Sequence, residues 1–569
     1  MRASSLLPVS SALLLLGGCA SDYALKSERT VGDLALALTS PTYGQFLGGA
    51  TVNVTGTVSP AQAFVFVEGE RVEVARDGSF SVELPVDHAY RIVEVEARLD
   101  AQLEEARLPV FRGNDPLLTW PGGATARLLP PGLEKLGEVV GAAIDEIGWA
   151  DQLSAALPSF ASDGVSLTAL GVFHDPTVAV LTPAPEGLDA AIALRMVTVE
   201  YQLDVPWLGL SETLIIGFEE ISVGGTLLPS LEDDGHLWLT LSDAQVDFSE
   251  PIFEFGFLQG WLFDLVVDLL NEWVLEPLGE IVLNLVLDNF GSIDLGGPLA
   301  FETDLLGTLV GARLTDLRSD LAGLGAEIAV GIGEPAAEEP IGLPLPEDAP
   351  GLPAGAQVAL GLHEGAVQLL MEEALLGFLS QDLDLGGTTG DLLGNTFKAL
   401  PGGEQAPDGD GWCLSLDPGT ARVARLQEGV EPLAVVYLPD FIIDVGIRQG
   451  NTCPTWLKAS LAMELGIGLT DGTALNLGIE VPEGKVLEYG AEGVDEAELI
   501  TRLGSTLSGL IGLLGGGLLN FDLADILGGA GGGLPLGDLA PKVVGSTAIT
   551  DAWGEPVDGL YAVSLELWE

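Results

Sequence analysis

Basic residues, histidine and cysteine are all scarce in this 569-residue chain, which sets 22 Lys and Arg against 84 Asp and Glu and has only four His and three Cys. The deficit of positive charge leaves a formal net charge of -62. A field of that sign repels phosphate polyanions and anionic head groups at long range, which excludes nucleic acid as a partner and head-group-led membrane docking. Such a surface suits solubility in a salty medium, where self-repulsion is screened. No His lies near a Cys, so a zinc site is not expected. The chain has no GxSxG elbow, no HExxH, no phosphate-cradling Gly-Lys-Ser or Gly-Lys-Thr loop and no CxxC, so no catalytic residue, metal or cofactor is expected. Asp408-Gly409-Asp410-Gly411 places carboxylates near one another but lacks the ligands that follow in an EF-hand, and it reads as a solvated turn.

What the chain has in quantity is apolar surface, at 47% hydrophobic residues, enough for large cores in several domains. Residues 1–19 read as a secretion signal, with Arg2 followed by an apolar run ending in LLLLGGCA. Leu16-Gly17-Gly18-Cys19 resembles the lipobox of bacterial lipoproteins. The resemblance implies that Cys19 is lipidated, with palmitate among its acyl chains, and that it becomes the mature N-terminus. Ala20 and Ser21 follow with no Asp after the cysteine, which by the same resemblance favours anchoring in the outer membrane of a bacterial envelope, at its periplasmic face or the cell surface, with an envelope protein as a further partner. In an exported protein the remaining Cys413 and Cys453 read naturally as a disulfide, with two free buried thiols as the alternative. Closing that loop contributes roughly 3 to 4 kcal/mol on the chain-entropy model.

Residues 20–34 read as a tether. From 35 to 113 short alternating segments, Val52 and Val54, Phe64 to Val67, Phe80 to Leu84 and Val93 to Ala97, predict an all-β sandwich. The runs TSPTYG at 39–44 and RDGSFSVELP at 76–85 resemble bacterial immunoglobulin-like repeats, with Asp77-Gly78 as a hairpin turn. The module carries no catalytic group and reads as a stalk. A polar break with Pro and Gly follows, from Gly113 to Pro131. Leu133, Leu136, Val139, Val140, Ile144 and Ile147 then share one helical face. Alternation over 197–205, 214–218 and 237–241 predicts half-buried strands.

The longest helix-like stretch runs from Phe253 to Phe290. Its polar side chains fall every four residues, at Asp264, Asp268, Glu272, Glu276, Glu280, Asn284 and Asp288, a row winding slowly around an apolar rod. A membrane span is excluded, because its carboxylates would each cost about 2.5 to 3.5 kcal/mol near a bilayer centre. Such a rod wants to be wrapped by other apolar surface. Strand-like sequence at 300–332 leads to a proline-rich linker, 333–355. The order then repeats: a helical stretch from Val367 to Leu379, strands around 433–447, a hairpin turning at Asp471-Gly472, and a second long helix from Asp495 to Leu519. NFGSIDLGG at 289–297 is echoed by NFDLADILGG at 520–529 and in part by LDLGG at 383–387.

This organisation, and the stretch VALGLHEGAVQLLMEEALLGFLSQDLDL at 358–385, resembles the tubular lipid-binding superfamily, in particular the two-barrel proteins related to bactericidal/permeability-increasing protein and lipopolysaccharide-binding protein. The expectation is an α+β chain: an N-terminal β-sandwich followed by two tandem antiparallel sheets, each rolled around a long helix, with a first barrel at 116–332 and a second at 356–569. By resemblance each barrel holds lipid or another apolar ligand without catalysis. The implied walls are Leu262, Val266, Leu269, Leu270, Trp273, Ile281 and Leu285 on the helix and Val199, Tyr201, Leu203, Ile216 and Phe218 on the strands. The alternative is a surface scaffold or adhesive lipoprotein whose barrels are filled by side chains. The acidic charge argues against phosphorylated lipid A as the ligand.

Overall fold

The computed structural model describes residues 34–568, except for 256–280, 285–291, 295–299, 337–351, 376–381, 386–393, 519–540, 551–555 and a few shorter gaps. The expected signal, Cys19 and the tether therefore lie outside the described residues, as do most of the proline-rich linker and the echoed segments.

The N-terminal module is an immunoglobulin-like sandwich of a three-stranded sheet (Ala35–Ser40, Thr51–Ser59, Ser79–Pro85) and a five-stranded sheet (Gln45–Leu47, Gln102–Arg112, Tyr90–Leu99, Phe64–Val67, Glu70–Val72). Strict alternation turns Val52, Val54, Val65, Val67, Val93 and Val95 into its shared core. The 76–79 hairpin turn needs a glycine: Gly78 has φ +87°, and a Cβ there would lie 2.4 Å from the Val58 carbonyl oxygen. Asp77 Oδ1 accepts from the Ser79 hydroxyl and amide, which holds its carboxyl below the ordinary range.

The first half is built on an eight-stranded antiparallel sheet dominated by one long hairpin, Gly187–Val205 and Leu210–Leu231. The hairpin is kinked in the middle. Register passes directly from Arg195–Glu220 to Val197–Phe218, leaving Met196 out of the ladder at φ 48° and 44% exposed. The inward set therefore switches parity, from Leu188, Ala190, Ile192 and Leu194 to Val197, Val199, Tyr201, Leu203 and Val205. One apolar face survives across the kink, in two clusters. Helices Pro130–Glu146 and Trp149–Ala156 cover the first cluster through Leu133, Ile144, Trp149 and Leu153. The longer helix comes so near the Val178–Ala184 strand that a Cβ on Gly137 or Gly141 would stand 2.4 or 2.5 Å from the carbonyl oxygens of Ala179 and Thr177.

In the second half a six-stranded sheet is led by Ala434–Ile447, Thr455–Thr470 and Ala474–Tyr489. Helix Glu496–Leu518 lies along it, and Leu499, Leu503 and Leu507 are buried against Leu461, Met463 and Leu465. Cys413 and Cys453 form a disulfide with Cα atoms 6.4 Å apart, so the free-thiol alternative is set aside.

The halves share a seven-stranded antiparallel sheet ordered Ala300–Leu305, Thr308–Asp320, Gly323–Ile332, Gly123–Leu128, Val358–His363, Pro556–Glu566, Lys542–Thr550. Its middle strand, Gly123–Leu128, lies inside the stretch expected to be an irregular break. Arg127 on that strand is fully buried and holds Asp320 with two parallel bonds, Nη1 to Oδ1 at 2.6 Å and Nη2 to Oδ2 at 2.5 Å.

Two expectations are corrected. The chain is mainly β, 60% strand against 16% helix, and no long helix is surrounded by sheet among the described residues. The α+β arrangement of sheets rolled around helices is thereby replaced by several packed sheets. The physical reason is that strands of up to 22 residues extend the sheets well beyond the short alternating segments visible in sequence, and the 496–518 helix covers one sheet face without being enclosed. Pro251–Phe255, the expected start of the first long helix, is a strand paired with Leu214–Phe218. The rest of that expected rod lies outside the described residues, except Ile281 and Asn284, which are helical.

The other correction concerns the stalk, because the immunoglobulin-like module is clamped to the second half. The Tyr43 hydroxyl donates to Asp440 at 2.9 Å, Arg107 Nη1 to the Ser460 hydroxyl at 3.2 Å, and Lys485 Nζ to Glu105 at 2.7 Å. Phe111 packs with Ala421 and Val423 beneath these contacts.

If the Arg127 clamp stabilises the shared sheet, Asp320→Asn removes the counter-charge of a buried guanidinium. Unfolding free energy should fall by about 1 to 2 kcal/mol, below the range for a fully buried pair because Asp320 is 42% exposed. Guanidinium chloride titration of the full chain measures it, and an unchanged midpoint would remove this pair from the account.

Candidate functional site

The distal half of the long hairpin, beyond its kink, presents the inner face on which the five strand residues named from sequence meet or adjoin. Cross-strand rows run Val172–Val199–Ile216–Phe253 and Ala169–Tyr201–Leu214, with Leu167 opposite Leu203. Val199, Tyr201, Leu203 and Ile216 share one buried cluster with Leu167, Val205 and Leu214. Phe218 falls just across the kink in the neighbouring cluster, its ring 5.0 Å from that of Phe248. Ile281 is half-buried against the same neighbouring cluster. Leu262, Val266, Leu269, Leu270, Trp273 and Leu285 lie outside the described residues.

Leu157, at the C-terminal end of the Trp149–Ala156 helix, packs on the distal cluster together with Phe253 and strand residues. Two features set this cluster apart. At its edge the strand Val165–Phe173 carries Val165, Ala169 and Val172 inward, each apolar and only half-buried. Tyr201 brings the one fully buried polar group of this face, and its hydroxyl has no hydrogen-bond partner; the half-buried Glu212 stands on the same face, across from Leu203. Burial pushes the Tyr201 pKa up to about 12, so the phenol stays protonated, a donor, at any physiological pH. An unmade hydrogen bond on a buried hydroxyl costs about 1 to 3 kcal/mol, which is large enough to require an explanation.

Sequence reasoning passed over two polar places. One is a cleft of about 280 Å³ on the second half, floored by Gly466, Gly468 and Gly478 and walled by Glu431, Glu464, Glu480 and Asn476. Burial, then the neighbouring Glu480 charge, raises the Glu464 pKa. The other is a buried junction where Arg425 Nη1 donates to Glu364 Oε2 at 2.5 Å while Nη2 donates to the carbonyls of Arg112 and Asn114. Glu364 Oε1 also accepts from the Leu426 amide, Gln368 Oε1 accepts from the Ala424 amide at 2.6 Å, and His363 Nδ1 accepts from the Gly365 amide at 2.9 Å. Burial raises the Glu364 pKa and lowers that of His363. With its partners satisfied, this junction pins the linker side of the immunoglobulin-like module to the shared sheet. The only sequence signal was His363-Glu364 at the close of an apolar strand. Among the described residues no group of three or more His, Cys, Asp or Glu is placed to hold a metal, and no helix is long and apolar enough to cross a membrane.

Comparison with known proteins adds the following. The family model described as glucodextranase, domain B, matches residues 35–107, within the immunoglobulin-like module. No curated protein matches. Among solved structures, a lipopolysaccharide binding protein aligns over 79% of this chain and 99% of its own, at 11% identity and TM-score 0.41. Latherin aligns over 28% of this chain and 77% of its own, at 15% identity and TM-score 0.15. An endo-beta-1,4-mannanase from Thermotoga petrophila aligns over 16% of this chain and 22% of its own, at 14% identity and TM-score 0.13.

The buried carboxyls predict an unusual response to acid. Buried Glu364 and half-buried Glu464 both have folded pKa values raised above the ordinary 4.5, with burial the largest cause for each. Between 4.5 and those raised values the folded state binds protons that the unfolded state does not, so stability falls as pH rises through this window. Mild acidification from neutrality should therefore raise the thermal midpoint, levelling off near pH 4.5. Differential scanning calorimetry across this range checks it, and a midpoint that drops steadily on acidification would contradict it.

Proposed function

We propose that this protein binds lipid, or another apolar ligand, on the distal inner face of its first half, and that it does so without catalysis while tethered to a bacterial outer membrane through Cys19. The observation that carries the reading is the distal cluster itself: a run of apolar side chains on adjacent strands, bordered by the half-buried Val165, Ala169 and Val172, in which the buried Tyr201 hydroxyl has no partner. Covering roughly ten methylenes of a ligand there would contribute about 8 kcal/mol before the costs of association. The net charge of -62 restricts the ligand to one whose recognition does not run through its phosphate. In the second half the corresponding sheet face is filled by side chains, Leu499, Leu503 and Leu507 among them. That packing supports a structural role for the second half and keeps a second reading in play, in which the whole chain is a scaffold or adhesin with an envelope protein as partner.

Full-length protein purified without detergent should release lipid on solvent extraction, at about one molecule or more per chain by mass spectrometry, and should take up a fluorescent acyl lipid from neutral vesicles. Ala169→Trp, which blocks the half-buried edge of the face without adding charge, should cut uptake severalfold. A chain that extracts clean and takes up nothing from several lipid mixtures would favour the scaffold reading. Cys19→Ser, expressed in a bacterial host, should move the protein from the membrane fraction to the soluble one.

A further inference from the structure

The one fully buried polar group of the distal face narrows the ligand class, resting on the ligand-binding reading above. We infer that the Tyr201 hydroxyl is a hydrogen-bond donor to an acyl oxygen of the bound ligand, so that the site selects ester- or carboxyl-bearing chains over plain hydrocarbon and ether-linked ones. Tyr201 is fully buried, its hydroxyl has no partner, and its buried neighbours in the cluster are hydrocarbon side chains, with the half-buried Glu212 across from Leu203. A phenol in such a place gains nothing over Phe from packing, and its donor is unanswered until an acceptor arrives.

The neighbourhood supplies a route for that acceptor. Directly across the ladder from Tyr201 stands Ala169, the smallest side chain of the cluster, and it is half-buried. Val165 and Val172 flank it along the same edge strand. Beyond residues 165–167, which pair with Phe160–Ser162, the outer edge of that strand has no partner among the described residues. A chain entering over Ala169 reaches the Tyr201 ring first. The tail lies on Val199, Leu203, Leu214 and Ile216, and the carbonyl takes the phenolic proton as acceptor without any transfer. Burial keeps the phenol in its donor form.

The test compares a diester phosphatidylcholine with its diether analogue of the same chain length, which differ at the linkage only in the carbonyl oxygens, and adds a free fatty acid as a third arm. Full-length wild-type protein is loaded from vesicles of each, and bound lipid is counted by mass spectrometry. Wild type should prefer diester to diether by about tenfold, the scale of one net hydrogen bond in a dry site, and Tyr201→Phe should abolish the preference by lowering the diester arm alone. A Tyr201-dependent gain for the fatty acid instead of the diester assigns the acceptor to a free carboxyl group and still supports the inference. Equal binding of diester, diether and fatty acid by wild type, unchanged in Tyr201→Phe, overturns it while leaving ligand binding intact. No uptake of any arm overturns both. The ligand-free Tyr201→Phe protein should melt no lower than wild type, since the hydroxyl has no protein partner to lose; a clear drop would show that the group is structural. The wild-type comparison stands even if the variant does not fold.

Discussion

The fold depends on one short strand. Gly123–Leu128 lies between Gly323–Ile332 and Val358–His363, so every hydrogen bond it makes on one edge goes to the first half and every one on the other edge goes to the second. Its residues up to Ala126 are small, and Arg127 seats one guanidinium in the interior. A buried charge is tolerable only when paired and bonded, and Asp320 supplies that pairing from the far strand of the same sheet. Two sheets that would otherwise be separate bodies become extensions of one framework.

That arrangement explains which parts were legible in the sequence. The immunoglobulin-like sandwich was, because one face of each strand is buried and the Val-x-Val alternation is clean. So was the 496–518 helix, because Leu499, Leu503 and Leu507 recur at helical spacing on a single buried face. The central strand was not. Its sequence, GATARL, is buried on both faces over much of its length and shows neither period, so its Gly and Thr passed for a break. The start of the expected first helix misled in the opposite sense. Phe253 belongs to a five-residue strand whose apolar residues satisfy a helical period equally well, and only the partner strand Leu214–Phe218 decides the matter. The strand residues of the candidate face were visible by alternation. Their switch of parity at Met196 shows in sequence only as a slip in the alternation, from Leu188, Ala190, Ile192 and Leu194 to Val197, Val199 and Tyr201, and the sequence does not say that one face continues across it. Nor could the isolation of the Tyr201 hydroxyl be read from sequence, because an absent partner is a property of the packing.

The few basic residues complete the account of the surface. Arg107 and Lys485 fasten the immunoglobulin-like module to the second sheet, Arg425 fastens it at Glu364, and Arg127 lies within the shared sheet. Cations used in this way are largely neutralised by internal carboxylates and contribute little to the outer field. The exterior is acidic, with a formal net charge of -62 on the chain, while the distal face of the first half is apolar around one buried neutral donor, with the half-buried Glu212 across from Leu203. On the proposed reading, a ligand would be selected by desolvation and by one directional bond, not by its charge. Charge then acts as a filter: anionic head groups are held away from the rim at low ionic strength, and the discrimination weakens as salt shortens the screening length toward the size of the rim itself.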